Sequence, residues 1–211
     1  MTEDSVADGY PRLIAEDWPG LPADIDAAFT WKQNATYFFK GSDYWKFENR
    51  VPVPGYPKAL SKGFPDIPSH VDTAFVWGGN GKIYFFKGND YYKFDPDKRP
   101  HVQIGKYPRD VSKWGLPPSL EAALQWDNGK TYFFKEGKYW RFDDRRFRVD
   151  SAANPPFPRS AGEWWFNCPR FRPLQLDNFG LTVESLDEDD EVYIELDFTD
   201  TAGDEDLDAY Y

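Results

Sequence analysis

A run of aromatic residues that is repeated three times in register constrains the fold of this chain more than any other feature. The run reads TYFFKGSDYWKF at residues 36–47, IYFFKGNDYYKF at 83–94 and TYFFKEGKYWRF at 131–142. Equivalent positions of the copies lie 46 to 51 residues apart. Self-similarity at a fixed period of this size is typical of proteins built from repeated units that bury their apolar faces against each other.

Each copy belongs to a longer unit that opens with an acidic residue, continues with a tryptophan and closes with an aromatic–proline pair. The opening acids are Asp26, Asp72 and Glu121, the tryptophans are Trp31, Trp77 and Trp126, and the pairs are Tyr56-Pro57, Tyr107-Pro108 and Phe157-Pro158. Short apolar runs between Gly/Asn turns predict three strands in each unit, and a short fourth segment precedes the pair. After the pair, PKALSKGF and PRDVSKW predict a short helix with proline in its first turn. Four strands per unit indicate a blade of a β-propeller.

The predicted fold is therefore all-β, a four-bladed propeller that lacks most of blade one. Residues 1–22 align with the end of the next repeat (VADGYPRLIAEDWPGLP with VPVPGYPKALSKGFPDIP), and we interpret them as the remnant of blade one. Blades two, three and four are predicted at residues 23–69, 70–118 and 119–168, followed by an acidic tail at 169–211. We expect, on this alignment, that the sequence begins inside a blade.

The aromatic run itself is expected to form core. In a blade that packs on both faces, successive residues of a strand point to opposite neighbours. The residues of the first run that would then lie between blades are Tyr37, Phe38, Phe39, Tyr44, Trp45 and Phe47. The alternative is a surface that stacks a ligand, and such a site would have to be repeated in every blade.

The repeat resembles the hemopexin-like repeat over residues 6–168. The resemblance rests on the Asp-Ala-Ala-Phe-like opening, Tyr-Phe-Phe-Lys-Gly, Tyr-(Trp/Tyr)-(Lys/Arg)-Phe and Gly-Tyr-Pro. Among carriers of this repeat, the C-terminal propeller of matrix metalloproteinases is the most similar. The segments that look like that group are Gly9-Tyr10-Pro11, Gly55-Tyr56-Pro57 and the closing Trp164-Trp165-Phe166-Asn167-Cys168.

The resemblance implies a structural calcium ion in the central channel of the propeller. In the family, the ligands are main-chain carbonyls of the residue that opens each innermost strand, and these residues are here Asp26, Asp72 and Glu121. A second layer of ligands falls at Ala28, Ala74 and Ala123. Oxygen ligands suit calcium. The alternative is that the acids merely open the strands, and the third copy departs from the pattern by having glutamate.

The resemblance also implies a partner for the single cysteine. In the family, a cysteine at the end of blade four is bonded to one at the start of blade one, and Cys168 matches the former. Its partner would lie upstream of Met1, so the resemblance implies a disulfide whose other half is missing here, and an extracellular location. An inert free thiol is the alternative. The opening MTEDSVADGYP has no basic or apolar region, so this sequence contains no signal peptide.

Asn34 is a candidate glycosylation site. Asn34-Ala35-Thr36 is an N-glycosylation sequon without proline, and it lies in a predicted turn between two strands. Turns are accessible, so modification is plausible in a secreted protein.

Charge is distributed unevenly along the chain. The formal net charge is -11, but fourteen acids and no Lys or Arg follow Arg172, so residues 1–172 have a net charge of +3. The basic residues are dispersed, which argues against a nucleic-acid partner. No apolar stretch approaches the roughly 18 residues of a membrane span. The tail alternates in EVYIELDF, but its charge favours disorder, and either solubilisation or a basic partner would explain it.

These features predict a non-catalytic binding module. No zinc-binding His-Glu-x-x-His and no Ser/His/Asp set occur in the sequence. By resemblance, the partners would be extracellular matrix proteins such as collagen, or tissue inhibitors of metalloproteinases. The alternative is the C-terminal part of a matrix metalloendopeptidase, with zinc and activity in a missing N-terminal domain. A third alternative is a scaffold that pairs with another chain, and an incomplete ring would favour self-association through its open edges.

Overall fold

The computed structural model describes residues 8–32, 34–166 and 168, and within them the fold is all-β with a few short helices. The strands are β1 (Ala27–Trp31), β2 (Ala35–Lys40), β3 (Asp43–Glu48), β4 (Val51–Pro52), β5 (Lys58–Ala59), β6 (Thr73–Trp77), β7 (Lys82–Lys87), β8 (Asp90–Phe94), β9 (Arg109–Asp110), β10 (Ala122–Gln125), β11 (Thr131–Lys135), β12 (Lys138–Asp143), β13 (Arg148–Val149) and β14 (Arg159–Ser160). The helices are α1 (Ile14–Asp17), α2 (Leu60–Gly63) and α3 (Ala161–Trp165), with a 3₁₀ helix at Val111–Trp114.

The strands form three antiparallel sheets, one for each repeat. The first sheet has the order β1-β2-β3, and both β4 and β5 pair with the outer edge of β3. The second sheet has the order β6-β7-β8-β9. The third has the order β10-β11-β12, with β13 and β14 on the edge of β12. The all-β prediction with one sheet per repeat is confirmed.

Each aromatic run folds into a hairpin with a two-residue turn. In the first sheet Lys40 pairs with Asp43, so Gly41 and Ser42 form the turn. Gly41 has a φ of 60°, a conformation that glycine adopts without the steric penalty of a Cβ atom. Inside the hairpin, aromatic side chains alternate between the two faces of the sheet, and both faces are therefore apolar.

The aromatic side chains of neighbouring sheets pack against each other. Between the first and second sheets, the rings of Phe39 and Phe85 lie edge to face with centroids 5.5 Å apart. Between the second and third sheets, Phe86 and Phe133 are arranged similarly at 5.8 Å. Of the predicted core residues, Phe38, Phe39, Tyr44 and Phe47 are buried, and Tyr37 and Trp45 are half-buried. The aromatic run is core, as expected.

A short helix follows each aromatic–proline pair. The helix positions an aromatic side chain against the face of a sheet. The four helices begin four residues after Tyr10, Tyr56, Tyr107 and Phe157. Phe64, directly after α2, lies 5.4 Å from Phe85 of the second sheet. Trp18, directly after α1, lies edge-on at 4.8 Å from Phe38 of the first sheet. The first described residues thus have the same local structure and packing role as the end of a repeat.

Two details differ from the prediction. The proline of the pair precedes the helix and does not start it. Pro57 has no N–H to give to a sheet, so pairing with β3 begins at Lys58, and α2 starts only after these paired residues. In addition, the expected fourth strand is split in the first and third sheets into two short strands, one before and one after the pair.

The compact unit ends at Cys168. The predicted acidic tail at 169–211 lies outside the described residues. In the described part of the chain, no helix is long and apolar enough to cross a membrane.

Candidate functional site

The three acids predicted to open the innermost strands lie around one pocket. Its volume is about 510 Å³, and its lining residues are Asp26, His70, Val71, Asp72, Ser119, Leu120 and Glu121. Each acid directly precedes the first strand of its sheet, which is β1, β6 or β10. Because β1 packs beside β6 and β6 beside β10, the starts of the three strands meet at the same end of the sheets.

The backbone before each acid is bent in the same way in all three repeats. Asp24, His70 and Ser119 stand two residues before the acids and have φ values of 55°, 56° and 52°. The amide of His70 donates to the carbonyl oxygen of Gly41 at 2.8 Å, and that of Ser119 to Gly88 at 2.9 Å. These bonds attach the start of one sheet to the hairpin turn of the preceding sheet, which positions the acids side by side.

The carboxylates of the acids stabilise the hairpin turns of their own sheets. In each repeat, the carboxylate accepts a hydrogen bond from the amide of the first turn residue. The bonds are Gly41 N to Asp26 Oδ2 at 2.7 Å, Gly88 N to Asp72 Oδ2 at 2.6 Å and Glu136 N to Glu121 Oε2 at 3.1 Å. Hydrogen bonds to an ionised acceptor are among the stronger ones in proteins. The acids therefore have a structural role beyond opening the strands.

The main-chain oxygens of the acids remain available. The three amides donate to carbonyl oxygens of the second strand, from Asp26 to Phe39, from Asp72 to Phe86 and from Glu121 to Phe134, at 2.8 to 2.9 Å. None of the three main-chain carbonyl oxygens accepts a hydrogen bond from another described residue. Main-chain carbonyl oxygens suit a hard cation such as calcium, which takes about six to eight oxygen ligands and can complete its shell with water.

The charge of the pocket also favours a cation. Three acidic residues and no lysine or arginine line it. A cleft lined by one sign of charge raises the local concentration of the opposite ion. Within the described residues, no group of three or more His, Cys, Asp or Glu side chains is arranged to hold a metal ion. An ion here would therefore depend on main-chain oxygens, as the resemblance implies.

The alanines predicted as a second layer of ligands lie farther along the innermost strands and do not line the pocket. Ala28, Ala74 and Ala123 belong to β1, β6 and β10. Ala74 and Ala123 are buried between neighbouring sheets, whereas Ala28 is exposed. The difference arises because Ala27 and Phe29 face the second sheet, so Ala28 faces the opposite way. A second ion layer stays a prediction.

Two further predicted sites are separate from the pocket lining. The thiol of Cys168 is free and exposed, and its amide donates to the carbonyl oxygen of Gly162 at 3.0 Å. Its disulfide stays a prediction. Asn34 is exposed in the turn between β1 and β2.

His70 was not among the site residues predicted from the sequence, yet it lies in the pocket wall. A signal was present in the sequence. His70 stands two residues before Asp72, as Ser119 stands two residues before Glu121. His101, in contrast, stacks on Phe94 with ring centroids 4.5 Å apart, and Nδ1 of His101 contacts the carbonyl oxygen of Asp95 at 2.9 Å.

Three sheets of this kind, each opened by an acid at a shared pocket, define a protein built from hemopexin repeats. The Hemopexin family model matches residues 25–69, 71–118 and 120–168, which together make up more than half of the chain. The chain belongs to this family. Each matched stretch contains one of the three sheets.

Among curated relatives, human vitronectin is 50% identical over 56 residues, which are 26% of this chain and 12% of vitronectin. Human stromelysin-3 is 44% identical over 45 residues, or 21% of this chain and 9% of the relative. Human matrix metalloproteinase-21 is 44% identical over 55 residues, or 24% and 10%. The matches thus span about a tenth of the relatives' length. The likeness to matrix metalloproteinases is confirmed, and it extends to vitronectin.

Solved structures show the same fold. A plant lectin with two metal binding sites from Cicer arietinum has a TM-score of 0.59 and 17% identity, with 78% of this chain and 82% of that chain covered. The hemopexin fold protein CP4 from cow pea has a TM-score of 0.51 and 20% identity, with 66% and 68% covered. At such identities the likeness concerns the fold alone.

Proposed function

We propose that this chain is a non-catalytic protein-binding module of an extracellular protein. The observation that carries the proposal is the match of all three repeats to the Hemopexin family. The packing agrees with it, because the aromatic residues of the repeats are used to stabilise the sheet interfaces, and the outer edges of the sheets are left accessible to a partner.

The outer edges carry a repeated feature suited to contacting a protein. In each repeat, a basic residue two positions after the aromatic of the aromatic–proline pair lies over that aromatic ring. The pairs are Lys58 on Tyr56 at 4.5 Å, Arg109 on Tyr107 at 5.1 Å and Arg159 on Phe157 at 4.3 Å. The basic residues belong to β5, β9 and β14, which lie on the outer edges of the three sheets. Tyrosine and arginine are enriched at protein interfaces.

The proposed partners are extracellular matrix proteins such as collagen, or tissue inhibitors of metalloproteinases. The family resemblance and the similarity to stromelysin-3 and matrix metalloproteinase-21 support this class. A module of this kind would position a partner for chemistry performed elsewhere.

A binding assay tests the proposal. The full chain is applied to immobilised triple-helical collagen, gelatin and a tissue inhibitor of metalloproteinases, with immobilised serum albumin as the negative control. The edge variant replaces Lys58, Arg109 and Arg159 by alanine. A control variant with the same charge change replaces the exposed Lys62, Lys113 and Arg145. We expect the edge variant to bind at least about tenfold more weakly, since the loss of even one interface anchor costs about 1–2 kcal/mol.

Absence of binding to all three ligands would refute the proposed partners. Equal losses in the two variants would show that charge alone attracts the ligand, and would remove the edge surface from the proposal. Light scattering of the same samples would show whether the chain associates with itself.

A second candidate is the C-terminal part of a zinc-dependent matrix metalloendopeptidase. The similarity to stromelysin-3 and matrix metalloproteinase-21 favours it. Zinc and proteolytic activity would then belong to a domain outside this sequence. Mapping the 5′ end of the native transcript tests this candidate. An upstream reading frame with an HExxHxxGxxH motif supports it, and a transcript that starts at Met1 rejects it.

A structural calcium ion at the pocket is part of the proposal. The free main-chain oxygens of Asp26, Asp72 and Glu121 support it, and so does the acidic lining. The ion would connect the starts of the three innermost strands and would stabilise the arrangement of the sheets.

A further inference from the structure

Equivalent turns join the first and second strands of the three sheets, and their asparagines are used differently. In the second and third sheets, the side chain of one asparagine forms two hydrogen bonds within each turn. Its oxygen accepts from a main-chain amide, and its nitrogen donates to a tyrosine hydroxyl. The bonds are Lys82 N to Asn80 Oδ1 at 2.9 Å, Asn80 Nδ2 to Tyr84 at 3.0 Å, Lys130 N to Asn128 Oδ1 at 2.9 Å and Asn128 Nδ2 to Tyr132 at 2.9 Å.

In the first sheet the asparagine stands one position later. Counted back from the shared tyrosine, Asn34 is equivalent to Gly81 and Gly129. All three have a left-handed backbone, with φ values of 57°, 66° and 73°. Asparagine tolerates this conformation better than most residues. Asn34 therefore occupies the turn position that glycine occupies in the other two sheets, one residue after the position from which Asn80 and Asn128 bond the turn.

The side chain of Asn34 is accessible. Asn34 is exposed, and among residues 8–32, 34–166 and 168 nothing forms a hydrogen bond with its amide group. The hydroxyl of Thr36, two residues on, lies at the surface as well, 3.1 Å from the hydroxyl of Thr30. The asparagine and the threonine of the sequon are thus both at the surface of the folded sheet.

We propose that Nδ2 of Asn34 is the attachment atom of an N-linked oligosaccharide. The donor is a lipid diphosphate-linked oligosaccharide. A bond forms between Nδ2 and the anomeric carbon, the bond from that carbon to the diphosphate oxygen breaks, and the amide loses one proton as the lipid diphosphate leaves. The inference rests on the proposed extracellular function, because this modification occurs on secreted proteins.

The fold separates the oligosaccharide from the pocket. β1 runs from Asp26 at the pocket to the turn that contains Asn34, and its five residues span about 17 Å at about 3.4 Å per residue. An oligosaccharide on Asn34 would therefore leave the pocket open. It would also lie away from the basic edge strands, since β1 is the innermost strand of the sheet.

The test expresses the full chain behind an added secretory leader in cultured human cells. The leader delivers the protein to the modifying enzymes whatever its natural location. We expect a mass loss on treatment with an N-glycosidase, abolished in Asn34→Gln and Thr36→Ala and retained in Thr36→Ser. Thr30→Ala is the matched control, because it removes the hydroxyl partner of Thr36 and leaves the sequon intact. A leader-bearing chain that stays unmodified overturns the proposal.

A transplanted sequon tests whether the position of Asn34 in the turn matters. Lys130→Thr creates Asn-Gly-Thr at Asn128, and Lys130→Val is its isosteric control without a sequon. Modified Asn128 would lose its bond to Tyr132, so we expect a melting temperature about 2–4 °C below that of the control. Wild type that carries the modification and wild type made without it in the bacterial cytoplasm are expected to melt at the same temperature, a comparison that keeps asparagine at the left-handed position 34. If the modification lowers the melting temperature of wild type as much as it does at Asn128, the turn does not accommodate an oligosaccharide at Asn34 better than at Asn128.

The location of the native protein is measured separately by fractionating its source cells and medium. A modified leader-bearing chain together with a purely cytosolic native protein would reject the extracellular function and the natural modification. An unmodified leader-bearing chain together with a secreted native protein would reject the modification alone.

Discussion

The carboxylate of Asp144 accepts a hydrogen bond of 2.6 Å from the indole nitrogen of Trp77, and this bond joins the third sheet to the second. The same carboxylate accepts from the hydroxyl of Thr131 at 2.7 Å and from its amide at 3.2 Å. Thr131 is fully buried. Asp144 therefore satisfies polar groups of two sheets in an interface that is otherwise aromatic.

Asp144→Ala should lower the free energy of unfolding by about 2–3 kcal/mol, because the buried donors of Thr131 and the half-buried indole N–H of Trp77 lose their acceptor. Chemical denaturation measures the effect. Asp127→Ala, at an exposed position in a neighbouring turn, is the control and should change stability by less than about 0.5 kcal/mol. In a double-mutant cycle with Trp77→Phe, the effects should not be additive. Additive losses would show that the contact between the two sheets contributes little.

Gly63→Ala should destabilise the first sheet. A Cβ atom at Gly63 would lie 2.2 Å from the hydroxyl oxygen and 2.6 Å from Cζ of Tyr44, a buried ring that cannot move away easily. Overpacking of this kind costs about 1–3 kcal/mol. Gly162→Ala is the matched control, because its Cβ would meet the thiol of Cys168 at an ordinary 3.5 Å. Equal melting temperatures of the two variants would contradict the packing described for α2.

Asp95 should make the stability of the protein dependent on pH in acid. Its buried carboxyl accepts from Nζ of Lys82 at 2.7 Å and from the amide of Asp97 at 3.2 Å. Burial acts to raise the pKa of Asp95, but the hydrogen bonds from Lys82 and Asp97 outweigh it and lower the pKa below 3.8. A pKa that is lower in the folded state stabilises the protein above the ordinary value, and this stabilisation disappears as the pH falls through the folded pKa.

Asp95→Asn should therefore be less stable than wild type at neutral pH, and the difference should shrink as the pH falls below 3.8. Denaturation curves recorded at a series of pH values measure the difference. A difference that is independent of pH would mean that lost packing, and not lost charge, causes the effect.

Calcium should raise the melting temperature of the wild-type protein relative to a sample in EDTA, and magnesium at equal concentration should raise it less. Asp72→Asn keeps an oxygen acceptor for the amide of Gly88, so it should fold and should retain a calcium response weakened by the lost charge. Asp72→Ala removes the acceptor and should destabilise the hairpin turn in the absence of any ion. Complete loss of the calcium response in Asp72→Asn would show that the carboxylate, and not the main-chain oxygen, binds the ion.

The repeat pattern was sufficient to predict the sheets, the hairpins and most of the core. Alternation of aromatic residues in a strand dictates two apolar faces, and the Gly41 type of turn dictates where the hairpin reverses. Both are local properties of the chain. A short helix after the aromatic–proline pair was predicted, but its start at Pro57 was wrong, since pairing of Lys58 with β3 depends on a strand that precedes it by ten or more residues.

The candidate site was also predictable only in part. The period placed Asp26, Asp72 and Glu121 at equivalent positions, so their meeting at one pocket followed from the repeat. That their carboxylates bind the turn amides, and that the carbonyl oxygens remain free, required the tertiary structure, because each hydrogen bond joins residues 15 or 16 positions apart.

The contacts between repeats could not be predicted from the sequence. Asp144 and Trp77 are 67 positions apart, and nothing in either repeat marks the pair. A one-residue shift of an asparagine between otherwise equivalent turns likewise decides whether its side chain bonds the turn amide and a tyrosine hydroxyl, as those of Asn80 and Asn128 do. Local periodicity is encoded in adjacent residues, whereas a hydrogen-bond partner depends on which groups the packed sheets bring within about 3 Å of each other.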